Sequence, residues 1–492
     1  MKSTGRPARR VPASLELGVL DPRAVPLLRA VHALARGTPV VLVGGAVRDA
    51  CLGRRLSRAR FDIDLAVRAG ALTLARAVAD RVQGAYLELD AGRGAARVVL
   101  RSGRIDIADW RAPTLEADLR ARDFTVNALA VELDTLLRDG AAAIVDPTGG
   151  RADLAAGRLR PPDIRVLRDD PLRTLRGVRL EATLGLKLTA PAARAIREAA
   201  SALIATSPER QRDELLALLA APQAARALRR LDALGLLATL FPEVEAMRAT
   251  SQPEPHRFGV LEHSLRAVHG VDRLVAGPAV VGAAAEEIAA HLREELAGGV
   301  DRAQALRLAA LLHDVSKPET RAVVHGRVRF FDHDVRGAAR AHAIGMRLRL
   351  PSRVVATIER LVRHHLRPMH LAQSGEITRR ARYRFFRDLA DDSRDLLLLT
   401  LADAAAVTGI SPAQAWRRSW VVRDLMAGWQ EQQTAASTPP LLRGEDVIHH
   451  FHLEPGPVVG ALLRQAREAQ ALGLVRSRDE ALAYLDSSQN DP

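Results

Sequence analysis

The 492-residue sequence predicts an α+β protein: a head that mixes strands and helices, followed by an all-helical remainder. Three observations predict it. Short apolar runs bounded by turn residues crowd the first third. Apolar positions recur at helical spacing almost everywhere after Pro162. Two breaks, the Pro-rich Ser251–Pro255 and the polar Gln430–Pro440, interrupt the helical part. The expected segments are a head over 1–155, a helical neck over 156–250, a helical domain over 251–425 and a small helical tail over 426–492. An apolar content of 48% is ample to give them buried cores.

Composition narrows the class. Lys and Arg together number 72 against 58 for Asp and Glu, a net charge of +14. Only Lys2, Lys187 and Lys317 are lysines, so the excess is arginine. A polyanionic partner is the first expectation. The charge is uneven: +9 over 1–100, +5 over 151–200, +9 over 301–400, and −3 over 401–492. The single Cys51 excludes a disulfide framework and a Cys-ligated zinc site, and fits a reducing cytoplasm. Met1–Val11 is basic, but no apolar stretch follows it, so no secretory signal is expected. The most apolar run, Leu396–Val407, carries Asp403 and is too short to span a bilayer, so no membrane partner is expected.

In the head, Pro39–Val43 reads as a buried strand ending at Gly44-Gly45. Val43–Asp49 then opens a helix. Glycines at such a turn let backbone amides approach a polyphosphate, and Arg48 adds a bidentate donor. Phe61–Val67 alternates as a half-buried strand, so Asp62 and Asp64 share one face. Two carboxylates that close are costly unless a cation neutralises them, as a Mg²⁺ site for phosphoryl transfer does. Arg97–Arg101 and Arg104–Ala108 flank a Ser102-Gly103 hairpin turn, which puts Asp106 forward as a third carboxylate. Asp146–Gly150 closes the region as a loop. The run Arg120–Ala130 places Arg122, Asp123 and Asn127 near the start of an apolar helix.

The neck is predicted as helices over Asp170–Leu184, Ala190–Ala205, Pro208–Leu219 and Ala224–Leu236. Arg173, Arg176 and Arg179 recur every third residue on one side of the first, facing a nucleotide or an RNA backbone. Further on, His263, His313-Asp314, His333, His365 and Asp403 form an ordered set whose imidazole and carboxylate donors suit Mn, Fe, Ni, Co or Zn. Of the neighbours His364 and His365, the second is preferred. In the tail, Pro455-Gly456-Pro457 marks a tight turn between helices.

Taken together, Gly44–Asp49, the Asp62/Asp64 pair, the Arg-Asp-Phe-Thr-x-Asn-Ala run, Asp146–Gly150 and Asp169-Asp170-Pro171-Leu172-Arg173 occur in the order found in class II tRNA nucleotidyltransferases and bacterial poly(A) polymerases. The chain resembles these members of the DNA polymerase β superfamily over residues 40 to 235. The resemblance implies a mixed β-sheet head in which Asp62 and Asp64 hold catalytic Mg²⁺. It further implies that Gly45 and Arg48 bind the triphosphate, that Arg122 and Asp123 contact the nucleotide, and that Asp170 and Arg173 read the base of CTP or ATP. Arg can donate to a base edge and Asp can accept from the exocyclic amine that C and A both carry. Asp169 stands where the family has Glu, and Ala121 where it has the first Arg of Arg-Arg-Asp. Complete CCA addition, CC-only addition, A-only addition and poly(A) synthesis all stay open. Leu311–Pro318 and Val362–Pro368 resemble HD-domain phosphohydrolases, which implies a transition-metal site and a second hydrolytic activity. A phosphohydrolase whose head only binds nucleotide is the rival from another class.

Overall fold

A computed structural model describes residues 10–54, 61–429 and 439–489. The first nine residues of the basic Met1–Val11 stretch and most of the Gln430–Pro440 break lie outside the described residues. The chain divides into two compact units, Met1–Leu218 with Arg230–Leu240, and Leu219–Arg229 with Phe241–Pro492.

The first unit is built on one eight-stranded sheet. Its strands are β1 (Ser14–Glu16), β2 (Val40–Val43), β3 (Phe61–Val67), β4 (Ala85–Asp90), β5 (Ala95–Leu100), β6 (Gly103–Asp109), β7 (Ala130–Glu132) and β8 (Ala141–Val145). They lie in the order β1-β8-β7-β2-β3-β6-β5-β4. The sheet is mixed: β3 and β6 run parallel, and the other paired neighbours run antiparallel. In β3, Phe61, Ile63 and Leu65 are buried on one face, worth roughly 1.5–3 kcal/mol each. Their burial fixes the register that puts Asp62 and Asp64 on the other face.

The hairpin between β5 and β6 turns on Arg101-Ser102, one residue earlier than the sequence suggests. Gly103 is already the first residue of β6, pressed so closely on Phe61 that a Cβ there would lie 2.3 Å from the Phe61 carbonyl oxygen. A second correction concerns Arg120–Ala130. A helix over Leu115–Arg120 ends just before it, Thr125–Asn127 forms one 3₁₀ turn, and the apolar Ala130–Glu132 pairs as β7 between β2 and β8. The run is too short to pay for an independent helix, whereas a strand there completes two hydrogen-bond ladders.

Helix α1 (Gly45–Cys51) follows β2 directly. The neck supplies α2 (Leu172–Leu184) and α3 (Pro208–Leu219), with Ala190–Ala199, a 3₁₀ stretch over Ala200–Ala205, and Ala224–Ala233 between and after them.

In the second unit, α4 (Val260–Ala276), α5 (Arg302–Leu312), α6 (His333–Arg347), α7 (Ser352–His364), α8 (Arg379–Leu389) and α9 (Ser393–Thr408) form the body, and α10 (Pro457–Ala471) belongs to the tail. Two hairpins break the expected helical run, Glu295–Ala297 with Val300–Asp301 and Arg321–Val324 with Arg327–Phe330. Their turns are Gly298-Gly299 and His325-Gly326, all four at positive φ, as tight hairpins demand. Among the described residues no single helix is long and apolar enough to cross a membrane; α9, which holds the Leu396–Leu399 run, is a buried core helix.

The crossing of α4 and α9 depends on one small residue. A Cβ at Gly270 would lie 2.8 Å from Cα and 2.9 Å from Cβ of Ala402. His263 and Asp403 sit on these two helices, so the close approach sets their separation. Gly→Ala inside a helix normally gains up to about 1 kcal/mol. Gly270→Ala is expected to reverse that sign and destabilise by about 1–3 kcal/mol through overpacking, read as a lowered melting temperature.

Candidate functional site

The parallel register of β3 and β6 sets Asp62 beside Arg104 and Asp64 beside Asp106. Three carboxylates therefore share one face of the sheet. Two of them are clamped by arginines. Arg104 donates to both oxygens of Asp62 at 2.9 and 2.6 Å, and Arg97 to both oxygens of Asp106 at 2.7 and 2.8 Å. Asp64 has no such partner. Burial and the nearby charges of Asp62 and Asp106 push its carboxyl up to about 6. The Gly44 turn presses on it: φ there is 73°, and a Cβ would lie 3.0 Å from Asp64 Oδ2. An under-neutralised carboxylate between two others is the environment that a divalent cation relieves, so the residues present fit one.

Beside this face runs an unbroken chain of polar contacts. Arg48 holds Asp49 through Nε at 2.9 Å and donates from Nη1 to Asn127 Oδ1 at 2.6 Å. Asn127 donates to Asp123 Oδ1 at 3.1 Å, and the Phe124 amide donates to the same oxygen at 2.7 Å. Arg176 Nη1 donates to Asp123 Oδ2 at 3.1 Å, and Arg176 Nε to Glu214 at 2.7 Å. Arg179 closes the chain on Glu214 at 2.6 Å. Arg176 and Arg179 are thus engaged by carboxylates rather than presented as an open row. The segment Ser207–Arg210 followed by Glu214-Leu215 also resembles the family's neck, but the pairing of Glu214 with Arg176 and Arg179 is visible only in the fold.

Arg122 pairs with Asp118 at 3.2 Å. Asp170 accepts from Arg210 Nη2 at 2.7 Å, and Arg173 donates to the Val166 carbonyl at 3.2 Å. Asp170 and Arg173 line a cavity of about 730 Å³ together with Asp109, Trp110, Arg111 and Asp169.

In the second unit the six predicted ligands converge. His263, His313 and Asp403 form one trio and Asp314, His333 and His365 another. His263 Nε2 lies 3.0 Å from Asp403 and 3.2 Å from His313 Nε2; His333 Nε2 lies 3.3 Å from His365 Nε2. His365, not His364, enters the cluster.

The local fold explains the aim. His313 and His365 follow the last residues of α5 and α7, where helix carbonyls lack partners. Each donates its Nδ1–H to such a carbonyl, Ala310 at 2.9 Å and Val362 at 2.7 Å, and His333 does the same to Phe330 at 2.8 Å. Their Nε2 lone pairs therefore point inward. Lone pairs at this separation, with the buried Asp314 Oδ1 lacking any hydrogen bond, fit a bound cation. Burial and the neighbouring His313 bring His365 down to about 4, keeping it neutral as a ligand must be. Lys317 Nζ donates to Asp314 and to Gln252, both at 2.7 Å.

Burial alone would raise Asp123, but the Arg176 charge and the hydrogen bonds from Asn127 and Arg176 hold it at about 2. Its ionised form then stabilises the fold above the unfolded pKa, near 4, and that stabilisation fades as pH falls toward 2. Asp123→Asn is expected to cost about 2–3 kcal/mol at pH 7 in urea unfolding, and the gap from the parent should narrow steadily below pH 4.

Comparisons with known proteins match regions in both units. Residues 40–160 match the family described as Poly A polymerase head domain, 185–248 the Probable RNA and SrmB-binding site of polymerase A, and 279–407 the HD domain. That last match begins beyond His263, which the sequence pattern and the folded chain both place with the others. Solved structures of CCA-adding enzymes share the fold: one in complex with ATP gives a TM-score of 0.61 at 20% identity, covering 98% of this chain and 100% of that one. The A-adding tRNA nucleotidyltransferase of Deinococcus radiodurans is 38% identical over 90% of this chain and 94% of its own length. The CC-adding tRNA nucleotidyltransferase of Thermus thermophilus is 35% identical over 90% and 92%. With head, neck and HD regions matched in sequence along nine-tenths of its length, the chain belongs to the tRNA nucleotidyltransferase family.

Proposed function

We propose that this protein adds C, A or both to tRNA 3′ ends from CTP and ATP, by template-independent phosphoryl transfer. The observation that carries the reading is the three-carboxylate face with the Gly44-Gly45 turn packed on Asp64. Asp62 and Asp64, with Asp106 as the third carboxylate, are the residues that would hold Mg²⁺. When bound, Mg²⁺ supplies the charge that activates the RNA 3′-hydroxyl and stabilises the leaving pyrophosphate. The bidentate arginines aim Asp62 and Asp106, so the face is arranged before any cation arrives. Gly44, Gly45 and Arg48 cradle the triphosphate, and Arg122 adds a donor beside them. Arg173 donates to the base and Asp170 accepts from its exocyclic amine, at the cavity whose walls they form. Asp123, Asn127, Arg176 and Arg179 position these groups through their shared contacts. The relatives named here are tRNA nucleotidyltransferases, which disfavours the poly(A) polymerase alternative. A tRNA substrate and one buried cysteine fit the cytoplasm.

The test supplies Mg²⁺, tRNA lacking its 3′ CCA, and CTP, ATP or both. Incorporation is expected, falling by about two to three orders of magnitude in Asp62→Ala and Asp64→Ala. No incorporation by the parent, with Asp62→Ala indistinguishable from it, would sink the proposal. Long tails from ATP alone would restore the polymerase reading.

A second activity is favoured by the two histidine–carboxylate trios. His263, His313, Asp314, His333, His365 and Asp403 form a donor set for divalent transition metals of the Mn, Fe, Co, Ni or Zn group. Such a centre suits hydrolysis of a phosphate ester. Ring opening of a 2′,3′-cyclic nucleotide to its 2′- or 3′-monophosphate, by addition of water with cleavage of one P–O bond, is expected with added Mn²⁺ or Ni²⁺, and abolished by chelation or His313→Ala. The same variant should leave nucleotide incorporation intact; loss of both would mean a collapsed fold rather than a lost ligand.

A further inference from the structure

A concentration of charge outside both sites described above gathers where α8 of the helical domain meets α10 of the tail. Helix α8 presents Arg380, Arg384 and Arg387 at i, i+4 and i+7, a stripe about 10 Å long on one face. All three converge on a single carboxylate, Glu468 of α10. Arg380 Nε lies 3.0 Å from Oε1, Arg384 Nη2 2.8 Å from Oε1, and Arg387 Nη1 3.3 Å from Oε2. The Glu468 side chain is only 10% exposed, whereas those of Arg380 and Arg384 are 52% and 50% exposed. Arg464, one turn before Glu468, joins them; among the described residues it has no carboxylate partner. With Tyr484 these side chains line an open cavity of about 380 Å³.

The electrostatics do not balance. Arg380, Arg384, Arg387 and Arg464 are joined by Arg367, which shares Asp388 with Arg387 at 3.0 and 2.8 Å, so five guanidiniums face the two carboxylates Glu468 and Asp388, an excess of three positive charges. A carboxylate accepts about four hydrogen bonds, while each guanidinium offers five N–H donors. Most of the donors are therefore free to face the cavity. Glu468 acts as a buried tether: it fixes the arginine forks and leaves their outer edges to a ligand.

We propose that this pocket binds a phosphate-bearing polyanion, with two or more phosphate groups lying along the α8 stripe. A lone phosphate would leave half of the stripe unmatched. Consecutive phosphodiesters of an RNA backbone and a free polyphosphate present the same chemistry, and the two arms of the test separate them. The site stands independently of nucleotide transfer in the head.

In the first arm the full chain is titrated calorimetrically with tripolyphosphate in the presence of EDTA, as parent, Arg464→Gln and Arg380→Gln/Arg464→Gln. In the second arm, tRNA binding is measured across a salt series with the same proteins. Among the described residues Arg464 makes no ion pair, so its removal should leave the melting temperature unchanged. Loss of one tripolyphosphate site, weakened roughly tenfold per arginine, identifies a free polyphosphate as the ligand. A drop of about one in the salt slope of tRNA binding per arginine, with tripolyphosphate binding unchanged, identifies the RNA backbone. Arg464→Lys should recover part of either effect. Identical binding by all variants in both arms would overturn the proposal.

Discussion

Asp123 is the charge on which the head and neck depend. It is buried and ionised, and such a group persists only if every oxygen is answered. Asn127 and the Phe124 amide answer one oxygen and Arg176 the other. Those obligations determine much else. Asn127 is thereby oriented to accept from Arg48, which ties the Gly-Gly turn to the 3₁₀ segment. Arg176 is oriented to reach Glu214, which ties α2 to α3. The Gly44-Gly45 turn and the helix that carries Arg173 are thus parts of one hydrogen-bonded body. Rigidity of this kind is what template-independent selection requires, because no nucleic-acid strand is present to correct a misplaced base.

The second unit solves a different problem by different means. Three of its histidines, His313, His333 and His365, are aimed by backbone carbonyls. A helix end has carbonyls to spare, and an imidazole three residues later can take one up. The same contact selects the tautomer and satisfies the helix terminus. Glycine at position 270 then brings the helices bearing His263 and Asp403 close enough for the two to meet at 3.0 Å.

Legibility in the sequence followed the range of the interaction. Strand β3 and its carboxylates were readable because alternation is a local rule. The ligand set of the second unit was readable because His-Asp and His-His pairs are conspicuous in a chain with few histidines. The two hairpins were overlooked, although Gly298-Gly299 and His325-Gly326 carry the turn signal. Helical patterning on either side outweighed it. The strand at Ala130–Glu132 was taken for helix because its alternative is decided by β2 and β8, which no local pattern reveals. Partners across long separations were the least visible: Glu214 for Arg176, Arg104 for Asp62, and Arg210 for Asp170.

These partners change the meaning of the arginine excess. A net charge of +14 suggests a surface awaiting polyanions, and the regional counts suggest the head, neck and body as its seats. Yet many of those arginines are spent internally. Arg97, Arg104, Arg176 and Arg179 each hold a carboxylate of the first unit, and Arg302 is buried against Asp392 and Asp395 in the second. What governs recognition is not the regional sum but the local surplus after pairing. The region from 401 to the end has a negative sum, but α10 within it helps build one of the clearest surpluses, because a single Glu468 gathers three arginines from α8 and cannot neutralise them all. A count along the chain assigns Arg380 to one region and Glu468 to another. Only the packing of α8 on α10 makes them one site.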